Sequence, residues 1–182
     1  MNKEFDPRRL DVKAFAEAAA QLAGQERLGD HPRLMVETGG RGADNPLAWS
    51  ASAEVRNPAH VHPNIWLHLA ANTVLPLTCQ RCLAPVEVAV AVERSFRFVR
   101  DEAVAMAQDD GSEEDLLALS RSFELIELVE DELLMDLPVA PRHEVCPAPV
   151  KLTVADEDFE AAAEPRENPF ALLKRLKTRK TE

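Results

Sequence analysis

Alternation with a period of two dominates the middle of the chain. Trp49, Ala51, Ala53 and Val55 share one face of a segment. In Ile65–Leu77 the odd positions Ile65, Leu67, Leu69, Ala71, Leu75 and Leu77 are apolar. In Val86–Phe98 the even positions Val86, Val88, Val90, Val92, Phe96 and Phe98 are apolar, interrupted by Arg94, and Glu87, Glu93 and Arg97 lie opposite. Successive strand residues point to opposite faces, so this pattern predicts antiparallel strands with one face on a core. The link Cys79-Gln80-Arg81-Cys82-Leu83-Ala84-Pro85 suits a hairpin and is too short for a helical crossover.

Helical spacing flanks these strands. Val12, Phe15, Ala19 and Leu22 fall on one face, which predicts a helix over 11–23 with Asp11 as N-cap and Gly24 as its stop. Leu125, Leu128, Val129 and Leu133, widened by Ile126, Leu134 and Leu137, predict a second helix over 123–137 that Pro138 ends. Glu124, Glu127, Glu130 and Asp131 mark an acidic, solvated side, which could recruit a basic partner. Leu34–Glu37 and Leu116–Leu119 read as short strands. Gly39-Gly40-Arg41-Gly42 reads as a loop, because it lacks the Gly-Lys-Ser/Thr ending of a phosphate-binding loop. Asp101–Asp115 is rich in acids and has no base, which predicts a mobile acidic loop.

Charge narrows the function. The chain has 182 residues and a net charge of −11, which excludes a globally basic nucleic-acid binder, including a general DNA binder. Tyr is absent and aromatics are 5%, so a broad base-stacking platform is not expected. Residues 155–168 are acidic and alanine-rich and read as a disordered linker. Asn168-Pro169 then opens a short amphipathic helix carrying Phe170, Leu173 and Leu176. Lys174, Arg175, Lys177, Arg179 and Lys180 crowd its end, a cationic tail on an acidic body. No apolar run approaches a membrane span, and no h-region follows Met1.

The cysteines carry the sharpest chemistry. Cys79-Gln80-Arg81-Cys82 presents two sulfurs to one tetrahedral metal across a tight turn. His143 and Cys146, three apart in His143-Glu144-Val145-Cys146, complete a Cys3His set suited to zinc. The same residues also read as reduced structural thiols near the core, or as a redox pair. The redox reading wants the motif at a helix start, and here it lies between strands. An odd cysteine count without a disulfide pattern points to a reducing, cytoplasmic compartment. His60 and His62 lack a nearby third ligand and read as surface histidines. No nucleophile–base set stands out.

Three motifs stand in a particular order: Thr78-Cys79-Gln80-Arg81-Cys82, then the run from Leu128 through Asp131, Leu137-Pro138 and Pro141 to His143, then Asn168-Pro169-Phe170-Ala171-Leu172-Leu173. Over roughly residues 30–178 the chain resembles the YceD family of large ribosomal RNA subunit accumulation proteins. The resemblance implies a cytoplasmic factor needed for synthesis, processing or stability of 23S ribosomal RNA, with no established catalytic activity. Many relatives carry a second pair, C-P-x-C, resembling a zinc ribbon. Cys146-Pro147-Ala148 matches its first three positions, and Pro149 replaces the second cysteine. Either His143 substitutes as the fourth ligand or the site is lost.

The expectation is an α+β domain over 1–153: an antiparallel sheet, open or curled toward a barrel, packed on two main helices. Residues 154–182 form the linker and tail. The expected partners are large-subunit ribosomal RNA precursors or ribosomal proteins, not membrane or DNA, met through the tail and Arg81. The rivals are a zinc-dependent enzyme acting on RNA, a thiol oxidoreductase, and an adaptor that binds protein alone through an acidic face mimicking nucleic acid.

Overall fold

A computed structural model describes residues 5–59, 64–148 and 154. The elements are α1 (Val12–Glu17), β1 (Gln21–Arg27), α2 (Pro32–Glu37), β2 (Pro46–Arg56), β3 (Asn64–Thr78), β4 (Pro85–Val99), α3 (Glu102–Gln108), β5 (Asp115–Ala118) and α4 (Leu125–Met135). They belong to one compact unit, Met1–Cys146.

The five strands form one sheet in chain order. The pairs β1–β2, β2–β3 and β3–β4 are antiparallel, and β5 runs parallel to β4. The class is α+β, as the patterning predicts, but the sheet is mixed and open rather than a barrel: β1 and β5 remain as edges. The β3–β4 register places Ile65 opposite Phe98, Leu67 opposite Phe96, Ala71 opposite Val92 and Leu77 opposite Val86. All of these lie on the buried face. Val12, Phe15, Leu34, Leu125, Val129 and Leu133 from three helices close the same core. The opposite face is polar over much of its area, where Ser50, Ser52, Asn72 and Glu93 lie.

Several elements depart from the sequence reading. The predicted helix over 11–23 is only half a helix. Asp11 caps α1 by accepting the Ala14 N–H at 3.0 Å. The chain then turns through Ala19 at φ 44° and becomes β1. Pairing with β2 satisfies that backbone from Gln21 onward, which outweighs alanine's helix preference. Gly24 is no helix stop; a Cβ there would lie 2.7 Å from Trp49 Cζ2, so glycine admits the buried indole beneath the edge strand. Leu34–Glu37 belongs to helix α2, with Pro32 at its first turn, and not to a strand.

The acidic segment after β4 is not a bare loop. Asp101 caps α3 by accepting the Val104 N–H at 2.9 Å. That helix makes the long connection a parallel β4–β5 pair requires. Gly39-Gly40-Arg41-Gly42 is a loop, with all three glycines at positive φ.

The acidic side of α4 is only partly solvated. Glu130 and Glu132 are 5% and 6% exposed. The Glu130 carboxylate accepts the backbone N–H of Arg33 at 2.8 Å and of Leu34 at 3.1 Å, and the Arg33 guanidinium at 3.1 Å. It thereby caps the start of α2, whose own N-cap His31 makes no side-chain cap bond. Arg33 also bonds Asp131. Arg94, the interruption in β4's apolar face, lies 3.4 Å from Glu132. Burial holds the Glu132 carboxyl above the usual range, with Arg94 pulling it down and Asp115 and Asp131 pushing it up. Among the described residues, no helix is long and apolar enough to cross a membrane.

Two substitutions separate these acids. Glu130→Ala leaves helix N–H groups and a guanidinium without their acceptor, and is expected to cost about 3 kcal/mol in denaturant unfolding. Glu132→Gln removes a charge that burial opposes, so its melting temperature at pH 7 is expected to exceed the parent's. A raised carboxyl pKa favours the folded state while protonated and loses that contribution as pH rises. The gap should therefore close on acidification below about pH 4. A lower melting temperature for Glu132→Gln at pH 7 would show that its pairing with Arg94 dominates.

Candidate metal centre

The β3–β4 hairpin ends in a tight knuckle. The Cys79 N–H donates to the Ala84 carbonyl at 2.9 Å, and the Leu83 N–H to the Cys79 carbonyl at 2.9 Å. Leu83 sits at φ 61°, a left-handed conformation uncommon for a branched residue, and lets the chain reverse within the turn. This curl places Cys79 and Cys82 on one side.

The remaining two ligands arrive from beyond α4. Pro138 and Pro141 favour an extended chain there. Hydrogen bonds tie that chain to the knuckle: the Gln80 N–H donates to the Pro141 carbonyl at 2.8 Å, and the Arg81 guanidinium to the His143 carbonyl at 2.8 Å. The result brings Cys79, Cys82, His143 and Cys146 together, with one donor atom from each lying within 4.8 Å of all the others. Cys79 is buried and the other three are half-buried.

The donor set fits one metal ion such as zinc. Tetrahedral bonds of about 2.3 Å put sulfurs roughly 3.8 Å apart, so only a small contraction is needed. The imidazole is already oriented. Its Nε2 lies 3.0 Å from the Pro85 carbonyl, which can only accept, so Nε2 carries the proton. Nδ1 then turns its lone pair toward the sulfurs, 3.4 Å from Cys82 Sγ. A ligating histidine whose other nitrogen donates to a backbone carbonyl is the usual outer-shell arrangement.

The thiols are inequivalent. Burial pushes the Cys79 thiol up, but backbone N–H groups of Cys82, His143 and Arg81 and the Cys82 side chain outweigh it and hold it down to about 5. Cys146 is pushed up to about 11, first by burial and then by the neighbouring Cys82 and Cys79 sulfurs, against Arg81. A buried sulfur kept as thiolate by backbone donors is what a metal ligand requires. All three cysteines are free thiols. The C-x-x-C stands in a hairpin turn, so no helix dipole acts on it as in the redox motif.

Arg81, expected from the sequence as a contact residue, is exposed at the knuckle, with part of its guanidinium spent on the His143 carbonyl. Sequence reasoning missed Pro85 as the imidazole's acceptor and Pro141 as the knuckle's anchor, since neither carries a side-chain signal. His60, His62 and the predicted tail residues Lys174, Arg175, Lys177, Arg179 and Lys180 lie outside the described residues.

Residues 67–177 match the family described as large ribosomal RNA subunit accumulation protein YceD. The chain belongs to the YceD family. The match runs from β3 through the knuckle and α4 and beyond residue 146, so it takes in all four members of the cluster. No solved structure matches the chain.

Zinc titration of the reduced protein is expected to saturate at one equivalent and to raise the melting temperature. His143→Ala should weaken zinc affinity at least tenfold, as should Cys146→Ser, by competition with a chromogenic chelator. Equal affinity in His143→Ala and parent would remove His143 from the ligand set.

Proposed function

We propose that this YceD-family protein is a cytoplasmic, non-enzymatic factor supporting the synthesis, processing or stability of 23S ribosomal RNA, and that it binds large-subunit precursors without making or breaking bonds. Membership of a family described by large ribosomal RNA subunit accumulation is the observation that carries this reading. The acidic body limits indiscriminate binding to RNA, and the cationic Lys174, Arg175, Lys177, Arg179 and Lys180 supply attraction to a phosphate backbone.

The metal reading favours binding over catalysis. We take the Cys3His cluster to hold zinc as a structural staple. Four protein donors fill a tetrahedral ion, whereas a catalytic zinc keeps one position for water. The staple would join the β3–β4 hairpin to the segment after α4, which are otherwise linked by a few hydrogen bonds to backbone carbonyls.

Sedimentation of the tagged protein from cell extract tests the proposal. The full chain is expected to travel with large-subunit precursors, and deletion of residues 168–182 to shift it to the free fraction. Migration of the full chain away from every ribosomal particle would overturn the reading. Turnover of an RNA substrate by the pure protein, abolished by one substitution, would overturn its non-enzymatic part.

A further inference from the structure

Charge is unevenly distributed over the described body. Most arginines there face a carboxylate, as Arg33 does with Glu130 and Arg97 with Glu114. Among the described residues, Arg9, Arg41, Arg81, Arg121 and Arg142 form no ion pair, and three of these five, Arg41, Arg81 and Arg142, gather at one end of the β3–β4 hairpin. Arg41 donates to the Pro76 carbonyl at 3.1 Å and to Thr78 Oγ1 at 2.9 Å, one residue before Cys79. Arg81 lies within the knuckle, and Arg142 adjoins His143 and is exposed. From β3 to the end of β4's first half the chain carries almost no other charge; Glu87 is the one acid there. The exposed Glu144, between His143 and Val145, adds a second acid at that end, whereas the acids from 101 to 136 concentrate in α3, the turn after it and α4.

Two of the exposed large apolar side chains lie at the same end, others standing elsewhere at Val36, Met106, Met135 and Val139. Leu83 is 75% exposed and Val145 is 85% exposed. Each is the immediate neighbour of a cluster cysteine, Cys82 or Cys146, so the two flank the candidate metal centre. Leu83 is also held at positive φ, a backbone conformation that asparagine or glycine would adopt at less cost. An exposed leucine buries little surface for folding, and backbone strain of this kind occurs at ligand contacts among other places.

We propose that this knuckle is a contact surface for unpaired RNA, with Leu83 and Val145 against base faces and Arg41, Arg81 and Arg142 toward phosphates. Unstacked bases in loops and single strands offer apolar faces that a duplex hides, and an exposed aliphatic side chain set against such a face removes both from water. Arg142 and the guanidinium N–H groups that Arg41 and Arg81 do not spend on Pro76, Thr78 and His143 can neutralise phosphates, and of the acids only Glu87 and Glu144 lie on these two chain segments to oppose an anionic chain. A cross-linked knuckle holds both chain segments in register, so the surface is formed before contact. The inference rests on the proposed ribosomal RNA role and names the place on the body, distinct from the tail, where RNA is met.

The full chain, loaded with zinc, would be titrated into a short labelled single-stranded RNA of mixed sequence and into the same strand annealed to its complement. The test variant combines Leu83→Gly, Val145→Ser and Arg142→Ala. None is a metal ligand, and Leu83→Gly relaxes the turn, so zinc content and melting temperature should stay near the parent's. Arg121→Ala, an exposed arginine elsewhere, is the control. The parent is expected to prefer the single strand, and the triple variant to lose about tenfold or more in affinity with a shallower salt dependence. Unchanged affinity in the triple variant, or an equal loss in Arg121→Ala, overturns the inference while sedimentation with precursors leaves the functional reading standing. Loss of RNA binding in the triple variant, with a parent that never sediments with precursors, keeps the RNA-contact surface and overturns the ribosomal reading. A photoreactive amino acid in place of Leu83 that crosslinks protein and no RNA in cells assigns the surface to a protein partner and overturns the inference.

Discussion

The register of the β3–β4 hairpin is the constraint on which the rest depends. Side chains alternate with a period of two, so a slip of one residue would carry Leu67, Leu69, Phe96 and Phe98 from the core to the solvent. The buried set is long, and only one register keeps it on a single side. That same register closes the turn at Thr78 and Pro85, which forces the two cysteines of the knuckle together. A preference distributed over the whole hairpin thus fixes the position of a few atoms at its tip. The candidate metal centre inherits its geometry from core packing.

Helix α4 couples this sheet to the remaining structure through acids as well as leucines. Glu130 ends the exposed backbone of α2, and Glu132 meets the arginine that interrupts β4. The two are both buried, yet their energetics differ. Glu130 is surrounded by donors, including two backbone N–H groups at a helix start. Glu132 has one half-exposed arginine and two acidic neighbours, so burial dominates. Adjacent acids on one helix therefore play opposite parts, and the distribution of donors decides which is which. Their burial also removes part of the acidic face that would serve a basic partner or mimic nucleic acid.

Beyond α4 the chain returns to the knuckle and adds His143 and Cys146. Among the described residues, Leu137 and Cys146 are the apolar side chains of that return packed against the core; its other ties are three backbone carbonyls, those of Pro141, His143 and Pro85, and the cluster itself. A bound ion would contribute most in such a place, where there is little core to hold two segments together. The same feature leaves Leu83 and Val145 in solvent beside unpaired arginines, a surface whose composition suits contact better than folding.

Periodicity in the amino-acid sequence was enough to locate β2, β3, β4 and α4, and the spacing of Cys79, Cys82, His143 and Cys146 was enough to nominate the cluster. Long strands and helices repeat their signal many times, and a C-x-x-C in a short turn has few geometries. Tertiary structure decided the short elements. Gln21 to Ala23 pair as a strand because β2 offers hydrogen bonds, Leu34 joins a helix because Glu130 receives its backbone, and Asp101–Asp115 orders around a cap and a parallel crossover. It also decided that Glu130 and Glu132 are interior and that His143 turns Nδ1 toward the sulfurs. In each case the partner is distant in sequence, and a local pattern carries no record of what will be packed against it.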